Sequence, residues 1–197
     1  MLFILAGLLL WALSHGFKRF APGLREATGN GGRGMVSLGS LIAIGLMVYG
    51  YRTTEPVQLW QSAEWLHASN NVLMLFVVYL YAASGDETRL SMVMRHPMLN
   101  GMILWAFAHL LVNGDQISLL LFGGFIVWAV FTKRLIDRTD AWVLPSKAPL
   151  GKELGVLIAA LVVYVFIVHV HAFLGPYPLW WGWNLTGPLA AIVTPIF

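Results

Sequence analysis

The stretch RHPMLNGMILWAFAHLLVNGD, residues 95–115, decides the fold, because it is an apolar run of membrane length with polar groups at both ends. Pro97 stands where the first residue of a helix belongs, since its missing N–H leaves no helical hydrogen bond unmade there. His109 would lie about 18 Å further along, at 1.5 Å per helical residue. An ionisable side chain at such a depth in a membrane helix is a functional-site hypothesis.

The composition of the whole chain also indicates a membrane protein. Of its 197 residues, 58% are hydrophobic and 11% are charged, and the mean hydropathy is +0.74. Residues 154–174 form a second apolar run long enough to span a bilayer. We therefore predict an all-α, polytopic membrane helical bundle, a single domain over residues 1–197, with the lipid bilayer as its main partner. No basic run with interleaved aromatics suggests nucleic acid as a partner.

Six transmembrane helices are predicted, at about Leu2–Phe20, Met35–Tyr51, Ala63–Ala83, 95–115, Ile117–Thr132 and 154–174. Eleven of the 12 Lys and Arg residues fall in the loops that six spans place on one side, and only Arg52 falls on the other. The positive-inside rule then puts both termini on the outer, periplasmic face of a bacterial inner (cytoplasmic) membrane. The proline- and tryptophan-rich end, residues 176–197, is typical of an interfacial segment.

Six histidines and no cysteine make histidine the residue type to follow. Neutral imidazole is a good axial ligand for haem iron, whereas thiolate ligands are excluded here. His109 shares a helix face with Met102, Trp105 and Asn113, which would suit a flat apolar cofactor. Each histidine alone is more often a hydrogen-bonding or packing residue. Four or five histidines within one small bundle, however, exceed what packing needs and favour haem b held between helices.

Residues 95–115 are similar to the signature of the NnrU family, which comprises small polytopic bacterial membrane proteins linked to nitrite and nitric oxide metabolism (denitrification). The resemblance covers essentially the whole chain. It includes His15-Gly16 with Leu24-Arg25, SLGSLIAIGLMVYGYR at 37–52, LLLFGGFIVWAVFTKRLIDR at 119–138, and HAFLG at 171–175.

The same pattern resembles the plant cis-ζ-carotene isomerases, which are haem b proteins. This resemblance implies that His15 and His109 are the axial ligands, with His67 or His171 as alternative partners for His109 if the haem stands upright. It implies a redox or nitric oxide-sensing role, or isomerisation of a hydrophobic polyene. A small gaseous ligand, a redox partner and a homo-oligomer fit the same interpretation. Arg95 would suit a haem propionate or a lipid phosphate.

Two alternatives have a different chemistry. Arg95, His96 and Pro97 also resemble the helix start at the cofactor mouth of membrane isoprenylcysteine and phospholipid methyltransferases, which implies S-adenosylmethionine at Arg95 and His96. A non-catalytic membrane partner of nitrogen-oxide reductases is the third hypothesis. Whether the chain is an enzyme stays open at this point.

Overall fold

The structure, a computed structural model, describes residues 1–29, 31–85, 88–146 and 148–174. These residues form eight α-helices and no β-strand, which confirms the all-α prediction. The helices are α1 (Leu2–Phe20), α2 (Pro22–Ala27), α3 (Gly31–Thr53), α4 (Glu64–Ser84), α5 (Arg89–Val93), α6 (Pro97–Val112), α7 (Gln116–Thr139) and α8 (Leu150–Leu174). The interfacial segment predicted at 176–197 lies outside the described residues.

Five of the described helices are long and apolar enough to cross a membrane: α1, α3, α4, α7 and the Leu150–His171 part of α8. The 95–115 stretch forms the shorter α6, which begins at Pro97 as predicted. Its 16 residues rise about 24 Å, less than the hydrocarbon thickness of about 30 Å. Six spans and outer termini therefore stay predictions, whereas a multi-pass helical membrane protein is shown.

Large apolar side chains on the outside of the helices fit a lipid surround. On α8, Ile158, Val162 and Phe166 are 64%, 63% and 66% exposed and recur every fourth residue. They form one lengthwise stripe, because residues four apart lie on the same face of a helix. Acyl chains would cover such a stripe, whereas a soluble protein rarely leaves so large an apolar patch uncovered.

The polar segments between the long apolar helices are more helical than the sequence predicted. Helices α2 and α5 lie in stretches that were predicted as loops, and α7 continues to Thr139 instead of ending at Thr132. Helix α5 starts with a capping box: the Thr88 hydroxyl accepts from the Ser91 N–H at 3.2 Å, and the Ser91 hydroxyl accepts from the Thr88 N–H at 3.0 Å. The basic residues near the end of α7 continue the helix because they have good helix propensity and a favourable charge there.

The chain divides into two compact units, each made of two segments. Unit 1 comprises residues 1–62 and 109–142, and so holds α1, α2, α3, α7 and the last four residues of α6. Unit 2 comprises residues 63–108 with the chain from Val143 onward, and so holds α4, α5, α8 and the rest of α6.

Unit 1 is built on a close antiparallel pair, α1 and α3. A Cβ on Gly7 would lie 2.7 Å from the carbonyl oxygen of Ala43, and a Cβ on Gly50 would lie 3.0 Å from the backbone nitrogen of Ile4. The early part of α1 thus meets the late part of α3. Glycines that let two backbones approach are the usual means of helix association in a membrane.

Unit 2 is built on a second antiparallel pair, α4 and α8. The Tyr79 hydroxyl donates to the Glu153 carboxylate at 2.8 Å, and the Tyr164 hydroxyl donates to the Asn71 carbonyl oxygen at 3.2 Å. Each bond joins an early position on one helix to a late position on the other. Polar bonds of this kind hold the register of two helices whose other contacts are apolar.

Candidate functional site

Helix α1 lies along α7 in unit 1, and the two helices run parallel. Leu8 faces Gly124, where an added Cβ would lie 2.5 Å from the Leu8 Cδ1 atom. At the other end, Arg19 forms an ion pair with Asp140 at 2.7 Å. His15 follows Leu8 by seven residues, and so it lies on the same face of α1. That face places the imidazole of His15 on α7.

Two tryptophans hold the ring of His15. It stacks on Trp11 with a ring-centroid distance of 4.0 Å and meets Trp128 edge-on at 5.4 Å. Its Nδ1 atom lies 3.0 Å from the Trp11 carbonyl oxygen, and it must carry the proton because a carbonyl oxygen can only accept. In a neutral imidazole the Nε2 atom then holds the lone pair, and this atom has no hydrogen-bond partner among the described residues. Histidines that ligate metals are usually oriented in this way, by a bond from the other ring nitrogen.

The indoles of Trp11 and Trp128 belong to an aromatic cluster with Phe125. All three pairs meet edge to face, at centroid distances of 5.5 Å for Trp11–Phe125, 5.7 Å for Trp11–Trp128 and 6.5 Å for Phe125–Trp128. The Trp11 Nε1 atom is buried and has no acceptor in the described part of the chain. An unsatisfied buried donor costs about 1–3 kcal/mol. This N–H is therefore available to donate to an acceptor on a bound molecule.

His109 contacts the same helix nearer its start. Its ring stacks on Phe122 with a centroid distance of 4.7 Å and an interplanar angle of 30°. Its carbonyl oxygen accepts from both the backbone N–H and the side-chain amide of Asn113, each at 2.9 Å. Asn113, predicted to line a cofactor pocket, thus ends α6 by binding the backbone of His109.

The contacts of His109 and His15 lie at two levels of α7. Phe122 and Trp128 are six residues apart on this helix, which separates them by about 9 Å along the helix axis. His15 and His109 therefore contact the same helix, and their pairing on one iron stays a prediction.

The last two residues of the 95–115 stretch bind the loop before α4 and the start of α7. The Gly114 carbonyl accepts from the backbone N–H groups of Leu59 and Trp60, at 2.7 and 3.0 Å. A Cβ on Gly114 would collide with the Trp60 carbonyl, so only glycine fits. Asp115 caps α7, because one of its oxygens accepts from two N–H groups of the first turn, each at 2.9 Å.

A buried hydroxyl chain that the sequence did not predict continues from this cap. Ser118 is fully buried and donates to the second oxygen of Asp115 at 2.7 Å. The Tyr51 hydroxyl lies 2.9 Å from the Ser118 hydroxyl and, since that proton is already committed, is the donor. This chain fixes the end of α3 to the start of α7. Neither Tyr51 nor Ser118 stands in a motif, so only the fold reveals their relation.

His67 and His171 belong to unit 2. His67 precedes Asn71 by one turn of α4, and His171 follows Tyr164 by about two turns of α8. Because the Tyr164–Asn71 bond sets the register of this antiparallel pair, both histidines lie towards the same end of it.

The other predicted site residues also have their described contacts in unit 2. The His96 carbonyl accepts from the Asn100 N–H at 2.9 Å, so Arg95 and His96 stand just ahead of the first turn of α6. Met102 accepts from the Tyr81 hydroxyl at 3.7 Å, and Trp105 lies three residues further along α6. Among the described residues, no group of three or more His, Asp or Glu side chains could hold a bare metal ion.

Comparison with protein families gives a match over most of the chain. The family model described as "NnrU protein" matches residues 3–178 of the chain. Searches of the curated proteins and of the solved structures found nothing that matches.

Proposed function

Because this chain belongs to the NnrU family, as its sequence resemblance implied, we propose that it is an inner-membrane haem b protein with His15 as an axial ligand of the iron. The observation that carries the proposal is the His15–Trp11 pair. The imidazole is oriented by the Trp11 carbonyl with Nε2 open, and the Trp11 indole N–H beside it is buried without an acceptor. A haem would satisfy both atoms, since it brings a metal and oxygen-bearing groups.

The aromatic cluster suits a porphyrin in a second respect. Trp11, Phe125 and Trp128 present ring edges and faces, and flat apolar cofactors bind against such surfaces. A bound haem would supply one-electron redox chemistry and a site for a small gas such as nitric oxide, in keeping with the nitrogen-oxide metabolism to which the family is linked. Isomerisation of a polyene, implied by the resemblance to the carotene isomerases, uses the same cofactor.

The second axial position is proposed for His109. Both imidazoles contact α7, His15 at Trp128 and His109 at Phe122, so this helix would flank the bound haem. The roles that the resemblance implied for His67 and His171, as alternative partners of His109, and for Arg95, as partner of a propionate, stay predictions.

Absorption spectra of the purified full-length protein, expressed with haem supplied, test this proposal. We expect a Soret band with sharp α and β bands on reduction, lost in His15→Ala. His169→Ala is the matched control, because the Nδ1 of His169 binds the Val165 carbonyl at 2.7 Å in the same arrangement and the residue is also exposed. A spectrum that His15→Ala leaves unchanged, or that both variants lose alike, would refute His15 as a ligand.

A second series addresses His109. We expect His109→Ala to reduce the low-spin, six-coordinate fraction, because one of the two proposed ligands is gone. A spectrum that this variant leaves unchanged would refute His109 as the second ligand.

The methyltransferase alternative makes its own prediction. S-adenosylmethionine would bind from the side of Arg95 and His96, and Arg95→Ala would abolish binding, as calorimetry can measure. The partner hypothesis predicts instead that all single histidine variants keep full function in a denitrifying host while loop variants lose it.

A further inference from the structure

A pocket unrelated to the histidines lies where α1 and α7 end in unit 1. Its volume is about 310 Å³, and its walls come from the last residues of α1, the start of α2 and the last turns of α7. Helix α1 has 19 residues and so rises about 28 Å from its first residue to its last. This rise nearly equals the hydrocarbon thickness, so the pocket opens at the level of the lipid headgroups.

One wall of the pocket is cationic and has unused N–H hydrogen-bond donors. Arg19 donates to the Thr139 hydroxyl and the Asp140 carboxylate, each at 2.7 Å. A guanidinium has five N–H donors in total, so three remain for a ligand. Lys18 lines the same pocket, and its ammonium forms no ion pair or hydrogen bond with any residue in the described ranges.

The opposite wall is apolar. It is formed by Phe20, Pro22 and Leu135, and Phe20 is 56% exposed. A site for free phosphate would need donors all round the ion. A cationic wall beside an exposed apolar wall matches a phospholipid, whose phosphate and acyl chains need both.

The surroundings attract anions as well. The end of unit 1 that carries the pocket holds seven basic side chains against three acidic ones. The basic residues are Lys18, Arg19, Arg25, Arg33, Lys133, Arg134 and Arg138, and the acidic residues are Glu26, Asp137 and Asp140. Basic pockets between membrane helices bind anionic lipid headgroups, and each basic residue near the surface contributes appreciably to that binding.

We propose that this pocket is a binding site for an anionic glycerophospholipid, with the phosphate on Lys18 and Arg19 and the acyl chain on Phe20 and Leu135. Lys18 is the residue that selects for negative charge, because Arg19 is already paired with Asp140. The lipid would join the ends of α1 and α7 and so brace the two helices that carry the aromatic cluster. The proposal is independent of whether haem binds.

Native mass spectrometry of the full-length protein in neutral detergent tests the site, with phosphatidylglycerol and phosphatidylcholine titrated separately. We expect phosphatidylglycerol to bind at least fivefold more tightly, and Lys18→Gln to reduce this preference about fivefold, the effect of one basic residue near a membrane surface. Lys18→Arg should keep the preference. Leu135→Trp should abolish binding of phosphatidylglycerol by filling the pocket while leaving every charge in place.

Arg33→Gln is the matched control, since it removes one charge from the same end of unit 1 at an exposed position outside the pocket. It should change the preference by less than twofold. Three results would overturn the proposal: equal binding of the two lipids, equal losses in Lys18→Gln and Arg33→Gln, or displacement of the lipid by millimolar inorganic phosphate. The last would identify free phosphate as the ligand.

Discussion

Replacing Asp115 with alanine should destabilise unit 1, because its carboxylate satisfies three hydrogen-bond donors. The carboxylate accepts from the N–H groups of Ile117 and Ser118, each at 2.9 Å, and loss of such a cap costs about 1 kcal/mol, with a range of about 0.5–2. It also accepts the hydroxyl proton of Ser118, whose side chain is fully buried. A buried donor without an acceptor costs a further 1–3 kcal/mol, roughly. The expected total is a loss of about 2–4 kcal/mol.

Equilibrium unfolding of the full-length protein by SDS in mixed micelles would measure this loss. Asp115→Asn is the control, because asparagine caps helices as well as aspartate does and keeps one side-chain oxygen. We expect it to lose less than half as much free energy of unfolding as Asp115→Ala. Equal losses in the two variants, or a loss below about 0.5 kcal/mol in Asp115→Ala, would refute the argument that the cap and the Ser118 bond act together.

Three further predictions concern stability and use the same unfolding assay. Gly7→Ala should lower the free energy of unfolding, since its Cβ would lie 2.7 Å from a backbone oxygen of α3. Gly45→Ala in α3, where a Cβ would have nothing within 4 Å, should raise the free energy of unfolding by up to about 1 kcal/mol. A Gly45→Ala variant less stable than Gly7→Ala would contradict the close packing of α1 on α3. Asp140→Asn should lower the free energy of unfolding by less than about 1 kcal/mol, because the side chains of Arg19 and Asp140 in this ion pair are 28% and 50% exposed. A larger loss would show that the ion pair is shielded from water. Thr88→Val should cost about 1 kcal/mol through the lost capping box, and an unchanged midpoint would show that α5 does not depend on it.

The helical class, the start of α6 at Pro97 and the positions of the long apolar helices could be predicted from the sequence, because hydrophobic length and proline placement are local signals. The extra turns at the end of α7 could not, since its polar residues 133–138 suit a loop and a solvated helix equally well. Short helices in polar segments depend on caps such as Thr88, which are weak signals in a single sequence.

For the candidate site, the histidines could be singled out by residue type and depth, but their surroundings could not. The i, i+3 spacing of Phe122 and Phe125, with Trp128 three residues on, indicates an aromatic face of α7. Nothing local shows that His15 and His109 both contact that face, at levels about 9 Å apart. Such a relation between three helices follows only from their packing.

The most direct test of the central claim, that His15 ligates a haem, is ligand rescue in the variant His15→Gly. This variant should be purified with little haem and without the sharp reduced bands, and added imidazole should restore both, because the free ring can take the space between Trp11 and Trp128. His169→Gly should show neither the loss nor the rescue. Haem that His15→Gly retains with an unaltered spectrum, indifferent to imidazole, would contradict the account.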